Sequence, residues 1–128
     1  MRSFEFVRLG VPCTVQTRNK SRLDNYKRDV RRAATAQWLG NVAPSTIPVS
    51  VTLSYYYTSD VLDVDNIIKP VVDQLKGLVY RDDLQVIKVI SQKSLVHAGG
   101  APSSVVSQVL TSALKSKDDF LHILVEWE

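Results

Sequence analysis

Asp63 and Asp65 stand one residue apart in "DVDNIIK", and Asp82 and Asp83 are adjacent in "RDDLQV". In extended chain an i,i+2 pair projects to the same side. Like charges so close repel unless something positive sits among them. An all-oxygen donor set suits a hard cation, Mg²⁺ or Mn²⁺. A third carboxylate, from Asp82 or Asp83, would complete a protein set and leave room for waters and a substrate phosphate. The plainer reading is that Asp65 caps a helix and that Asp82 and Asp83 make a turn. Lys69 follows in the first helical turn, where the helix dipole disfavours a cation. The plain reading is a solvated side chain; its placement against the dipole slightly favours a functional reason.

The letters exclude some named sites. An EF-hand loop starting at Asp63 needs glycine at its sixth position and an oxygen ligand at its fifth; Ile68 and Ile67 stand there. A D-x-D after a strand also occurs in haloacid-dehalogenase-like phosphatases and in nucleotide-sugar glycosyltransferases. The first require lysine and acidic motifs on further parallel strands. The second require a larger nucleotide-binding sheet than this chain can build.

The elements that must position these residues follow from periodicity. "SFEFVRL", residues 3–9, reads as a strand, and Gly10 and Pro12 break it. From Arg22 to Leu39 the spacing is helical, with Tyr26, Val30, Ala33, Ala34, Gln37 and Trp38 on one face. "IPVSVTLSYYY" alternates as a strand. It puts Ile47, Val49, Val51, Leu53, Tyr55 and Tyr57 on the packed face and leaves Tyr56 exposed. Ile67, Ile68, Val71, Val72, Leu75 and Leu78 repeat with helical spacing, and Gly77 ends that helix. Pro70 restricts its start to near Lys69, with Asp65 or Asn66 as the cap. Residues 84–96 form a β-branched strand, residues 103–117 a helix with Val106, Val109, Leu110, Ala113 and Leu114 on one stripe, and residues 120–128 a last strand. The order β-α-β-α-β-α-β predicts a single α+β domain over residues 1–128, a mixed sheet of about four strands with three helices. Trp38 and Trp127 read as core, and His97 and His122 as structural or solvent-facing.

Composition is that of a folded protein: 45 % hydrophobic and 23 % charged, over 128 residues. Cys13 is the only cysteine, so no internal disulfide forms. No apolar run approaches the ~20 residues of a membrane span, and "MRSFEFVRLG" lacks the apolar core of a signal peptide. The expected location is cytoplasmic. The net charge of +3 is unevenly spread. Arg18, Lys20, Arg22, Lys27, Arg28, Arg31 and Arg32 crowd one segment, while carboxylates gather in the middle and at the C-terminal end. A basic arm beside an acidic pocket suits phosphodiester chemistry. It also suits a solvated helix face.

"DVDNIIK", then "VVDQLKG", then "DDLQV" together resemble the RusA family of Holliday junction resolvases. The residues that carry this are Asp63, Asp65, Asn66 and Lys69, then Asp73, Leu75 and Gly77, then Asp82, Asp83, Gln85 and Val86. The resemblance spans roughly residues 4–96 and the last strand. It implies that Asp63, Asp65 and Asp83 bind a catalytic Mg²⁺, replaceable by Mn²⁺. Asp82 would be accessory and Lys69 would be needed for cleavage. The implied activity is paired nicking of four-way DNA junctions by a homodimer in recombination and repair. Arg18, Lys20, Arg22, Lys27, Arg28, Arg31 and Lys93 would contact DNA. The stretch 97–117 is atypical of the shorter family members and reads as an insertion. The competing functions are a structure-selective DNA-binding protein without catalysis and a D-x-D-type phosphohydrolase.

One geometric question stays open at this level. A helix from Lys69 to Gly77 is about 13 Å long, and the connector to Asp82 spans roughly 17 Å if extended. Asp83 can return to Asp63 within the chain only if the connector is nearly taut. Otherwise a partner subunit of a two-fold dimer supplies it.

Overall fold

In the computed structural model, residues 2–38, 43–59, 62–95, 108–115 and 118–128 are described. Their elements are β1 (Arg2–Leu9), α1 (Lys20–Gln37), β2 (Val49–Tyr57), α2 (Ile68–Leu75), β3 (Val86–Leu95), α3 (Gln108–Lys115) and β4 (Phe120–Trp127), with a 3₁₀ turn at Asp83–Gln85 before β3. The strands form one mixed sheet in the order β1-β4-β2-β3. β4 is antiparallel to both neighbours, whereas β2 and β3 run parallel. The class is α+β, as the element order predicts.

Alternation decides which face each strand buries. Val49, Val51, Leu53 and Tyr55 of β2 are all but fully buried, as are Leu121, Ile123 and Val125 of β4. Tyr26, Val30 and Ala34 of α1 and Val71 and Leu75 of α2 pack with them in one cluster. Each buried Val, Leu or Ile among them contributes roughly 1.5–3 kcal/mol on leaving water. Asn19 starts α1, its side-chain oxygen accepting from the Arg22 N–H at 3.0 Å. Among the described residues α1 ends at Gln37; Leu39 and Gly40 lie outside them.

The other face of the sheet is covered too, which corrects one expectation. Tyr56 is 3 % exposed and does not face solvent. It stacks on Phe120, ring centroids 4.6 Å apart, and both pack with Leu110 and Ala113 of α3. Alternation had sent Tyr56 away from the main core correctly; what it could not reveal was a second apolar layer. Trp38 and Trp127 are half-buried and sit 6.2 Å apart at the rim of the main cluster. His122 is buried, its Nε2 2.7 Å from the Glu5 carboxylate on the neighbouring strand. His97 lies outside the described residues.

The start of α2 also differs from expectation. Its cap is Ile67, which makes no side-chain capping hydrogen bond, so neither Asp65 nor Asn66 caps it. A turn precedes the helix instead, closed by the Asn66 N–H to the Asp63 carbonyl at 3.2 Å. Pro70 falls in the first turn, where its missing N–H leaves no gap in the helix ladder.

Candidate metal and DNA site

Three parallel strands, β1, β2 and β3, end at the same edge of the sheet, where β4 begins. The loops leaving β1 and β2 meet there: the Val15 N–H donates to the Asn66 carbonyl at 3.0 Å. Crevices at strand C-termini are where ligands bind in open α/β sheets. The Asp63–Asp65 loop lies in this place.

That loop is held from below by β3. Ser91 Oγ donates to the Val64 carbonyl, and Lys93 Nζ donates to the Leu62 carbonyl at 2.9 Å. The carboxylates of Asp63 and Asp65 are exposed and take no hydrogen bond or ion pair among the described residues. Other aspartates are engaged. Asp29 pairs with Arg8, Asp73 with Lys69, and Asp119 accepts from Tyr55 and Thr58. Two unengaged, exposed carboxylates two residues apart on one loop fit part of a Mg²⁺ shell, which commonly takes one or two carboxylates with waters and phosphate oxygens.

Lys69 projects from the first turn of α2, 72 % exposed, with Nζ 3.3 Å from Asp73. Lys69 and Asp73 share a shallow hollow with Lys27 and Leu23 of α1, Pro70 and Val15. The basic helix is thereby laid beside the start of α2. Arg18, Lys20 and Arg22 are exposed around its start. Arg31 is used differently: its guanidinium donates to the Gln74 and Lys76 carbonyls at 2.7 and 2.9 Å, closing the C-terminal end of α2. Arg28 is exposed and hydrogen-bonds Asn25 one turn before it.

Asp82 and Asp83 are elsewhere. β3 runs parallel beside β2 from Val49 and Val86 to Tyr57 and Leu95, with one register shift between Val49 and Ser50, so its start lies at the opposite edge from the acidic loop. The five steps from Val86 to Ser91 alone cover roughly 17 Å. Among the described residues no three metal-binding side chains gather in one chain. Asp82 is a cap: its carboxylate accepts from the Leu84 N–H at 3.0 Å. Gln85 accepts from the Arg81 and Asp82 N–H groups and donates to the Ser45 and Ile47 carbonyls, pinning the start of β3. Asp83 is exposed and unengaged among the described residues, and it stands close enough to the buried Tyr80 to add to the burial that raises that phenol's pKa.

A protein-family model described as Endodeoxyribonuclease RusA matches residues 5–101. The chain belongs to the RusA family. The match takes in both aspartate groups, Lys69 and the basic helix, and it stops before α3 and β4. No individually curated protein matches the chain. No helix among the described residues is long and apolar enough to cross a membrane.

Sequence reading of this RusA-family chain missed several residues that shape the site. Asp119, at the start of β4, accepts from Tyr55 Oη at 2.6 Å and from the Thr58 N–H and Oγ1 at 2.9 and 2.6 Å. It anchors the point where β2 gives way to the acidic loop. Burial raises its carboxyl pKa, but the hydrogen bonds from Thr58 and Tyr55 outweigh this and hold it below the ordinary value. Arg8 lies over the Tyr26 ring at 4.6 Å and donates to the Val11 carbonyl at 2.9 Å. Only contacts distant in sequence identify these residues; no local motif marks them.

Proposed function

We propose that this RusA-family protein is a Mg²⁺-dependent endodeoxyribonuclease that nicks four-way DNA junctions in recombination and repair. The observation that carries the reading is the exposed, unengaged pair Asp63 and Asp65 on the loop that enters α2, with Lys69 in the first turn of that helix. Asp63 and Asp65 would hold the cation, Mn²⁺ substituting for Mg²⁺. Bound there, it would supply an activated water and positive charge for the scissile phosphate. Lys69, exchanging Asp73 for a phosphate oxygen, stabilises charge that develops during cleavage. Arg18, Lys20, Arg22 and Lys27 hold phosphates of the junction arms, which gives recognition by shape and not by base sequence.

Asp83 joins this site from a second copy. Among the described residues β3 has a neighbouring strand on one side only, and Ile87, Val89, Ile90 and Leu95 along it are 69, 38, 41 and 43 % exposed. A long apolar edge strand is a template for pairing. Antiparallel pairing of β3 with its copy about Lys88 sets Asp83 of one subunit opposite Lys93 of the other, both five residues from the axis. Lys93 carries the acidic loop, so a homodimer would bring the third carboxylate to the first two. Two such sites related by a two-fold axis suit the approximate two-fold symmetry of a four-way junction.

The test is nicking of synthetic four-way, forked and duplex DNA, with and without Mg²⁺, by the wild type and by Asp63→Asn. Junction nicking that needs Mg²⁺ and is lost in the variant supports the reading. Junction binding without nicking by the wild type would leave a structure-selective DNA-binding protein.

A further inference from the structure

The acidic loop is gripped in a way that gives two residues of β3 a defined task. Ser91 and Lys93 are two apart on a strand, so both project to one face. Their acceptors, the Val64 and Leu62 carbonyls, are also two apart. The Asp63 carbonyl between them has its own partner: it accepts the Asn66 N–H and closes the turn into α2. The Asn66 carbonyl is taken by Val15 from the β1–α1 loop. Four carbonyls around Asp63 and Asp65 thus have fixed partners, and two of those partners are side chains of the edge strand.

We infer that Ser91 and Lys93 are positioning residues for the proposed metal site, a two-point clamp that holds the Leu62–Val64 backbone so that Asp63 and Asp65 are presented together. This rests on the metal reading of those two aspartates given above. Without the clamp, repulsion between neighbouring carboxylates would favour loop conformations that separate them. With it the site is ordered before metal arrives, and the ordering cost is not charged to binding. Lys93 is a chain-anchored cation behind the loop, its Nζ also 5.9 Å from the Tyr57 ring centroid. That is a different task from contacting a DNA phosphate, the role the family resemblance implies for it.

The experiment uses the full chain as Ser91→Ala and Lys93→Met, with Ser91→Thr and Lys93→Arg as variants that keep a donor. Amide hydrogen exchange of residues 58–67, without metal or DNA, reads the clamp directly, and exchange in β2 and β4 reports that the fold is intact. Mn²⁺ affinity by calorimetry reads what the clamp does for the site. The salt dependence of junction binding in EDTA reads phosphate contacts. The expected result is faster exchange confined to that loop and Mn²⁺ binding weakened about 10–100-fold, as when supporting groups of metal ligands are removed. The salt slope stays unchanged, and Ser91→Thr and Lys93→Arg recover both losses. Unchanged loop exchange overturns the clamp. Faster exchange with wild-type Mn²⁺ affinity overturns its positioning role. A salt slope reduced by about one in Lys93→Met, with exchange and Mn²⁺ affinity unaltered, makes Lys93 a phosphate contact instead. A wild type that binds no Mn²⁺ overturns the metal reading and with it the positioning role, while the exchange arm still judges the clamp.

Discussion

Asp63 and Asp83 of one chain stand at opposite ends of β3, Asp63 beside the strand's C-terminal half and Asp83 before its first residue. Parallel pairing of β2 with β3 enforces this separation. The chain leaves β2 at one edge of the sheet, crosses back through α2, and enters β3 at the other. A connector long enough to return Asp83 to Asp63 is present in sequence, but Asp82 and Gln85 fasten it at the far edge.

Asp63→Asn and Asp65→Asn abolish Mg²⁺-dependent nicking and leave junction binding within a few-fold of wild type. Lys69→Met lowers the single-turnover rate by about 10²–10³, the scale for losing one transition-state donor. Asp82→Asn has a smaller effect, because Asp82 serves as a cap. Quench-flow rates on a synthetic junction check all four.

Placing charge on the β3 edge should separate the subunits. Ile87→Asp, at a position 69 % exposed, leaves the circular dichroism spectrum near wild type. Sedimentation then shows monomer at micromolar concentration, and nicking falls with it. An Ile87→Asp dimer that cleaves normally would remove β3 as the interface.

The arginines of α1 should divide into two groups. Arg22→Ala weakens junction binding evenly across sequences and lowers the salt slope by about one. Arg31→Ala instead destabilises the fold by about 1–3 kcal/mol, because it frees two carbonyls at the end of α2. Urea unfolding and salt-dependent binding, run on both variants, separate them.

Legibility from sequence followed chain distance. The alternating strand at Val49–Tyr57 and the helical stripe at Val71 and Leu75 are local patterns, and both elements form where periodicity places them. The spacing of Asp63, Asp65 and Lys69 is equally local, and the structure puts all three around one loop and helix start. The burial of Tyr56 was not legible, because it depends on α3 crossing a face that strand alternation treats as outside. Asp119 reaches Tyr55 across 64 residues and Arg31 reaches Gln74 across 43. Nothing at either end of those contacts announces the other. For the same reason the sequence left open where Asp83 lies relative to Asp63.

Acid should loosen the site from one named point. Asp119 has a folded pKa below its ordinary 3.8 because Thr58 and Tyr55 donate to the carboxylate. Its contribution to stability is therefore full above the unfolded value and is lost as pH falls through the lower folded value. Asp119→Asn should lower stability at neutral pH and flatten the acid limb of the stability profile below about pH 4. Thermal melts from pH 2 to 7 check it.

Tyr26 offers a test of packing alone. Its hydroxyl is buried without a hydrogen-bond partner among the described residues. Removing a buried unsatisfied group recovers a desolvation cost of about 1–3 kcal/mol, offset by the small void left behind. Tyr26→Phe should therefore be at least as stable as wild type in urea unfolding. A loss above about 1 kcal/mol would mean that the hydroxyl has a partner, such as an ordered water.

The shared site is tested most directly by a mixed dimer. One subunit carries Asp63→Asn with Asp65→Asn, and the other carries Asp83→Asn, co-expressed with different tags and purified as the heterodimer. Each parent alone is inactive. If each site takes Asp83 from across the interface, the heterodimer has one site with all three substitutions and one fully wild type. It should then nick a four-way junction on one strand at a time, with Mg²⁺. A stable heterodimer that nicks nothing would contradict the account.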